Sequence, residues 1–239
     1  MSSADPPPTS RREELAARLA AVHERIERAK AAAGRGDDEL GLVVVTKFFP
    51  ASDVDLLAEL GVSAIGENRD QEASAKVARL VHRDSLAVHF IGQLQSNKAR
   101  SVATYADVVQ SLDRPKVVRA LDRAAEAHGR HLDVTVQVGL DGEAGRGGVA
   151  PDEVRALADL VASCGSLTLR GLMAVAPLGG DARAAFARLR ELSEAVRNDH
   201  PGAWWVSAGM SGDLEEAVAE GATHLRVGSA ILGTRQSHE

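Results

Sequence analysis

Lys47 ends the apolar run Leu42-Val43-Val44-Val45-Thr46, and a primary amine at that place is the strongest chemical signal in the chain. A short run of β-branched residues reads as a buried strand of a parallel sheet. At the end of such a strand a lysine loses hydration, which disfavours its ammonium form. The amine left behind is nucleophilic and forms Schiff bases with a carbonyl substrate or an aldehyde cofactor. A structural lysine that lays its stem on apolar surface has the same local sequence. The rest of the chain separates the two readings.

Two further segments combine small and hydroxyl residues after strand-like runs. They are Ser207-Ala208-Gly209-Met210-Ser211-Gly212-Asp213 and Gly228-Ser229-Ala230-Ile231-Leu232-Gly233. Such turns offer backbone N–H groups and the positive end of a helix dipole, which together suit a phosphate. Ser211 or Asp213 capping a helix and Gly228 turning the chain would need no ligand. Alternation of period two puts Val43, Val45 and Lys47 on one strand face, and His224, Arg226 and Gly228 on another. If Gly228 faces a ligand, Arg226 points inward just below it. A buried arginine is costly unless paired or functional. Facing a pyridine nitrogen, it would leave that nitrogen unprotonated; a salt bridge inside the barrel is the alternative.

Asn68, in Gly66-Glu67-Asn68, and His89, in His89-Phe90-Ile91-Gly92, also fall at strand ends. An amide there reaches a site or makes a turn, and His89 reads equally as a satisfied core histidine. The segment 139–148, GLDGEAGRGG, fits neither the P-loop nor the strand–GxGxxG–helix context and reads as a mobile surface loop. HExxH, CxxC, EF-hand and GxSxG patterns are all missing, which weakens metal and serine-hydrolase readings.

Positioning these residues requires a regular scaffold. Strands are expected at 40–46, 62–65, 87–91, 107–111, 133–138, 167–175, 204–208 and 223–227. Amphipathic, alanine-rich helices are expected at 51–60, 69–81, 115–128, 151–162, 181–199 and 214–220. Sustained alternation implies a parallel sheet. The length of 239 residues suits a single (β/α)8 TIM barrel, whose strands seven and eight commonly carry a phosphate site. An open doubly wound sheet would place a Gly-rich loop after the first strand, where this chain has Thr46-Lys47-Phe48-Phe49-Pro50. An extra N-terminal helix is expected over 11–33, stopped by Gly34 and Gly36, behind a disordered tail at 1–10 containing Pro6-Pro7-Pro8. Residues 11–239 then form one barrel domain.

Hydrophobic residues make up 44% of the chain and aromatics 3%, so aliphatic packing must build the core. The formal net charge of −6 argues against nucleic acid as the main partner. A single cysteine, Cys164, forms no internal disulfide and fits a reducing compartment. No stretch resembles a signal peptide or a membrane span. The expectation is a soluble, cytoplasmic protein, by default a monomer.

Five blocks occur in an order that resembles a known family: VVVTK ending at Lys47, GEN at 66–68, HFIGQLQSNK at 89–98, RGLMAV at 170–175 and GMSGDLEEAVAEGATHLRVGSAILG at 209–233. They resemble the pyridoxal phosphate homeostasis protein family, also called the YggS/PROSC family, from about residue 11 to residue 235. The resemblance implies the barrel of the alanine racemase N-terminal domain without the racemase's C-terminal domain. It implies that Lys47 holds pyridoxal phosphate as a Schiff base, that Ser207 and Gly228-Ser229 hold the phosphate, and that Arg226 lies near the pyridine nitrogen. Asn68, His89 and Met173 match positions that line or support the pocket. Two positions depart from the pattern: Ala208, where many relatives have Met or Leu, and Arg146, where many have lysine.

Two functional classes compete under that resemblance. One is a non-catalytic carrier that keeps pyridoxal phosphate bound and passes it to apo-enzymes; the other is a pyridoxal phosphate-dependent racemase-like enzyme. A Schiff-base aldolase acting on a sugar phosphate without a cofactor is a third possibility. Racemases of this barrel use a tyrosine from a second domain as a catalytic base. The sequence stops at Glu239 soon after the last strand and has one tyrosine, Tyr105, on the segment leading into strand four. The carrier is therefore the expectation.

Overall fold

The computed structural model describes residues 10–140 and 147–233. Its strands are β1 (Gly41–Val45), β2 (Ala64–Glu67), β3 (Ala87–Phe90), β4 (Val108–Leu112), β5 (Leu132–Val138), β6 (Leu167–Ala174), β7 (Trp205–Ser207) and β8 (His224–Val227). Its helices are α1 (Arg11–Ala32), α2 (Ala51–Glu59), α3 (Asp70–Val77), α4 (Ala99–Tyr105), α5 (Pro115–Ala127), α6 (Val154–Ala162), α7 (Ala182–Asp199), α8 (Leu214–Ala219) and α9 (Ser229–Leu232). The strands pair in parallel in chain order, and β8 pairs back onto β1. This is the closed (β/α)8 barrel that the alternation implies.

Both faces of the sheet are largely buried, as parallel strands require, with the Asp133–Arg170 pair partly exposed near the starts of β5 and β6. Val44, Ile65, Val88, Val109, Leu172 and Leu225 point outward into one continuous aliphatic core under the helices. Val43 and Met173, equally buried, lie outside that cluster and fill the barrel interior. Each such side chain contributes about 1.5–3 kcal/mol through burial.

Ser10 belongs to α1 and not to the expected tail. It accepts from the Glu13 amide, and its own amide donates to the Glu13 carboxylate at 2.9 Å, forming a capping box. The other tail residues and the expected loop around Arg146 lie outside the described residues. At its far end α1 passes through Ala33 into Gly34, whose φ of +68° suits a residue without a Cβ. Leu15, Leu19, Val22 and Ile26 pack α1 onto α8, α9 and α2. Because α9 is a single turn, the N-terminal helix covers the flank that a full eighth helix would occupy.

Several boundaries differ from the sequence reading for local reasons. The helix expected at 69–81 ends at Val77, and Arg83–Ser85 form a 3-10 turn. The helix expected at 151–162 starts with a 3-10 turn, Pro151–Glu153, before α6. Helix α4 adds to the expected set, and so does α9, whose four residues are too few to display an apolar period. Gly171 in β6 has φ +150°, and a Cβ there would lie 2.0 Å from the Trp205 carbonyl oxygen. It sits where the β5–β6 register shifts, so only glycine fits this bulge. Among the described residues no helix is long and apolar enough to cross a membrane.

Candidate functional site in the barrel mouth

Strand alternation sets the direction of each group at the rim. Val43 and Val45 point into the barrel, where a Cβ added to Gly66 would meet both, at 3.2 and 3.5 Å. Val44 and Thr46 point out. Lys47 follows in the turn after β1, half-buried at the mouth, and its side chain makes no hydrogen bond or ion pair among the described residues. The strand-eight loop closes against the same rim: a Cβ on Gly228 would lie 3.1 Å from both Cβ and O of Val45. A side chain at 228 would push this loop off the end of β1.

Beyond Gly228 the two small-residue loops meet. Ser229 Oγ donates to Ser211 Oγ at 3.2 Å, and the Ala230 amide donates to the same oxygen at 3.3 Å. Neither Ser211 nor Asp213 caps α8 through its side chain. The Asp213 carboxylate instead accepts from the Met210 amide at 2.6 Å and folds its own loop. Ser211 and Ser229 thus present paired hydroxyls next to backbone amides, an arrangement suited to an anion.

The barrel interior below holds a hydrogen-bonded chain. Arg226 Nη1 donates to Ser207 Oγ at 2.6 Å and Nη2 to the Ala174 carbonyl at 2.8 Å. Ser207 Oγ donates onward to Gln110 Oε1 at 2.7 Å, and Gln110 Nε2 donates to His89 Nδ1 at 2.7 Å. Accepting at Nδ1 places the His89 proton on Nε2. Burial pushes His89 down to about 3, so this histidine is neutral. Burial also lowers Arg226, to about 10, which leaves the guanidinium charged at neutral pH. Arg226 forms no salt bridge among the described residues; a hydroxyl and a carbonyl hold it.

The Ser207 hydroxyl is fully buried and engaged on both sides by Gln110 and Arg226, while Ser211 is the serine that meets Ser229. His89 is the end of the buried chain, with its ring stacked 6.4 Å from Trp205, a satisfied core histidine. Met173 is buried beside Ser207 in the β6–β7 register. Asn68 is half-buried, its backbone pressed on Gly92, where a Cβ would lie 1.9 Å from the Asn68 oxygen. It lines a cleft of about 450 Å³ with Gln93, Gln95 and Lys98 at the edge of the mouth. His224 sits one step below Arg226 in β8, its ring 4.1 Å from Trp205, and burial lowers it to about 4.

Gln110 escaped the sequence reading although a signal existed, a polar residue inside the apolar strand Val108-Val109-Gln110. Ser211 belongs to the loop read from sequence as suited to a phosphate, with helix capping as the alternative; its direct pairing with Ser229 shows only in the fold. Among the described residues no group of histidine, cysteine and carboxylate side chains is placed to hold a metal.

Comparison with known proteins identifies the family of this barrel. The family model for the alanine racemase N-terminal domain matches residues 17–236. The pyridoxal phosphate homeostasis protein of Mycobacterium tuberculosis (strain ATCC 25618 / H37Rv) is 43% identical over 244 aligned residues, covering 95% of each chain. That of Pseudomonas aeruginosa is 42% identical over 224 residues, covering 92% of this chain and 96% of the relative. PipY of Synechococcus elongatus PCC7942, solved with PLP bound, is 34% identical with a TM-score of 0.79, covering 92% of this chain and 100% of PipY. The alanine racemase of Corynebacterium glutamicum, at 14% identity and a TM-score of 0.68, shares the fold alone. Sequence identity over almost the whole length, joined to the same barrel, makes this chain a member of the pyridoxal phosphate homeostasis protein family.

Proposed function

We propose that the chain binds pyridoxal 5'-phosphate in the barrel mouth, held on Lys47 as a Schiff base, and serves cytoplasmic pyridoxal phosphate homeostasis as a carrier without substrate turnover. The donor set fits the cofactor. Lys47 supplies a primary amine, Ser211, Gly228 and Ser229 supply hydroxyls and amides for a phosphate, and Arg226 lies deeper on the same face of β8. Asn68 borders the mouth, while Met173, Ser207 and His89 support it from within. When bound, pyridoxal phosphate supplies an aldehyde and an electron-withdrawing pyridine ring. A charged arginine facing the ring nitrogen would donate to it and could not accept from it, which would leave that nitrogen unprotonated and the ring a weak electron sink.

The observation that favours a carrier is the place of the chain's single tyrosine. Tyr105 is 6% exposed on α4, outside the barrel, with its hydroxyl 3.4 Å from Asp70 Oδ1. Burial pushes its pKa up, away from any base function. It cannot play the part of the second base used by racemases of this barrel. A monomer delivering the cofactor to apo-enzymes completes the reading, with residues 11–239 as one cofactor-binding domain.

The test is the absorbance spectrum of purified protein before and after borohydride reduction, with peptide mapping and assays of alanine racemisation. A visible band that collapses on reduction, with the adduct on Lys47, and no turnover is the expected result. Lys47→Ala should lose the adduct and keep its fold. Racemisation above background would overturn the carrier reading in favour of a racemase-like enzyme. A protein that takes up no pyridoxal phosphate would return a cofactor-free aldolase to consideration.

A further inference from the structure

We infer that Lys76, on the far side of the sheet, is the positioning residue that orders the turn carrying Lys47; the inference rests on Lys47 as the cofactor lysine. Side-chain alternation sends Thr46 outward, towards α3, and Lys47 to the mouth. Lys76 reaches up from α3 and donates to the Thr46 carbonyl at 2.8 Å, to Glu67 Oε1 at 2.7 Å and to Glu72 Oε1 at 3.2 Å. Each acceptor grips a flank of Lys47. Thr46 Oγ1 donates to Glu67 Oε1 at 2.6 Å, and the Thr46 amide donates to the Gly66 carbonyl at 3.0 Å. On the other flank the Phe48 amide donates to the Glu72 carboxylate. One ammonium thus ties together the residues before and after Lys47.

Three features set this cluster apart from a surface ion pair. Lys76 is 6% exposed and Glu67 fully buried. Glu67 Oε2 has no hydrogen-bond partner among the described residues, so the cluster is an inefficient way to gain stability. Phe48 has φ +71°, a conformation that non-glycine residues hold only when their surroundings over-determine it. Here the Glu72 carboxylate on its amide, itself held by Lys76, does so. The β1–β2 ladder ends with the Thr46 amide on the Gly66 carbonyl, so ladder pairing does not reach Lys47 and Phe48. The Lys76 cluster continues the order past that point by means of side chains. Pointing outward, Lys76 has no route to a ligand in the mouth and acts through the backbone of Lys47.

The test compares wild type with Lys76→Met, which removes the charge at similar length, and Lys76→Arg, which keeps it. Glu72→Ala serves as a second variant: its carboxylate is partly exposed, so folding tolerates the change, yet it releases the Phe48 amide. Two readouts are taken on protein whose circular dichroism is native: hydrogen exchange at 46–49 without cofactor, and affinity for added pyridoxal phosphate with the rate of the borohydride-trapped adduct on Lys47. Lys76→Met should speed exchange at 46–49 and weaken loading roughly tenfold or more, the scale expected when a reacting group is misplaced. Glu72→Ala should shift both in the same direction, and Lys76→Arg should recover part of the loading. Wild-type exchange, or wild-type loading, in folded Lys76→Met or Glu72→Ala would overturn the inference. If wild type itself took up no pyridoxal phosphate, the cofactor reading would fail, while the exchange comparison would still decide whether Lys76 orders the turn.

Discussion

Ser207→Ala separates a buried structural hydroxyl from a phosphate ligand. In the structure Ser207 Oγ accepts from the Arg226 guanidinium and donates to Gln110, with no solvent access. Alanine leaves a charged N–H and an amide oxygen without partners in a closed space. A hydrogen bond to a charged group is worth about 1.5–3 kcal/mol and a neutral one about 0.5–1.5 kcal/mol, so the apo-protein should lose about 2–4 kcal/mol. For a chain of this size that is a fall in Tm of roughly 5–15 °C. Ser229→Ala alters an exposed hydroxyl and should stay within about 0.5 kcal/mol of wild type. Pyridoxal phosphate retention should show the reverse order, with Ser211→Ala and Ser229→Ala losing more than Ser207→Ala. Urea denaturation of the apo-proteins, paired with cofactor dissociation measured by absorbance, gives both quantities. Wild-type apo stability together with lost retention in Ser207→Ala would refute the reasoning and make Ser207 a phosphate contact.

Acid should weaken the fold through buried His89 and half-buried His224. His89 and His224 have folded pKa values of about 3 and about 4, below the ordinary histidine value of 6.5. The unfolded chain therefore binds more protons between these limits, and stability is present above 6.5 and lost as pH falls towards 4. Glu67, raised by burial, contributes with the opposite sign. Denaturation midpoints between pH 7 and pH 4 check this, and His224→Gln should flatten the slope; an unchanged slope would assign it to other groups. Gly171→Ala places a methyl against the Trp205 carbonyl in a left-handed backbone and should cost about 3 kcal/mol or more, read as loss of soluble protein or of the thermal transition. Leu19→Ala, opening a cavity under α1, should cost about 2–5 kcal/mol by urea denaturation, and a value near zero would mean that α1 does not seal the barrel.

Much of the barrel was legible because its causes are local. Val43-Val44-Val45 reads as a strand from β-branching and run length, and the alanine-rich stretches read as helices from their apolar spacing. That chemistry reached from sequence alone to the amine at Lys47 and to the two small-residue loops at 207–213 and 228–233. The four-residue α9 stayed hidden because a period needs length to show. Partners were hidden too, since each bond in the buried chain joins residues far apart. Gln110 meets Ser207 across 97 positions, and Ser211 meets Ser229 across 18. Strand type and side-chain face follow from neighbours a few residues away, so the sequence by itself determined the barrel class, the lysine and the facing of Arg226. Only the pairing and packing of separate elements decided that Ser207 is tied to Arg226, that Ser211 meets Ser229, that Lys76 stands behind Lys47, and that Tyr105 lies outside the mouth. These are contacts between elements, and no local propensity encodes them.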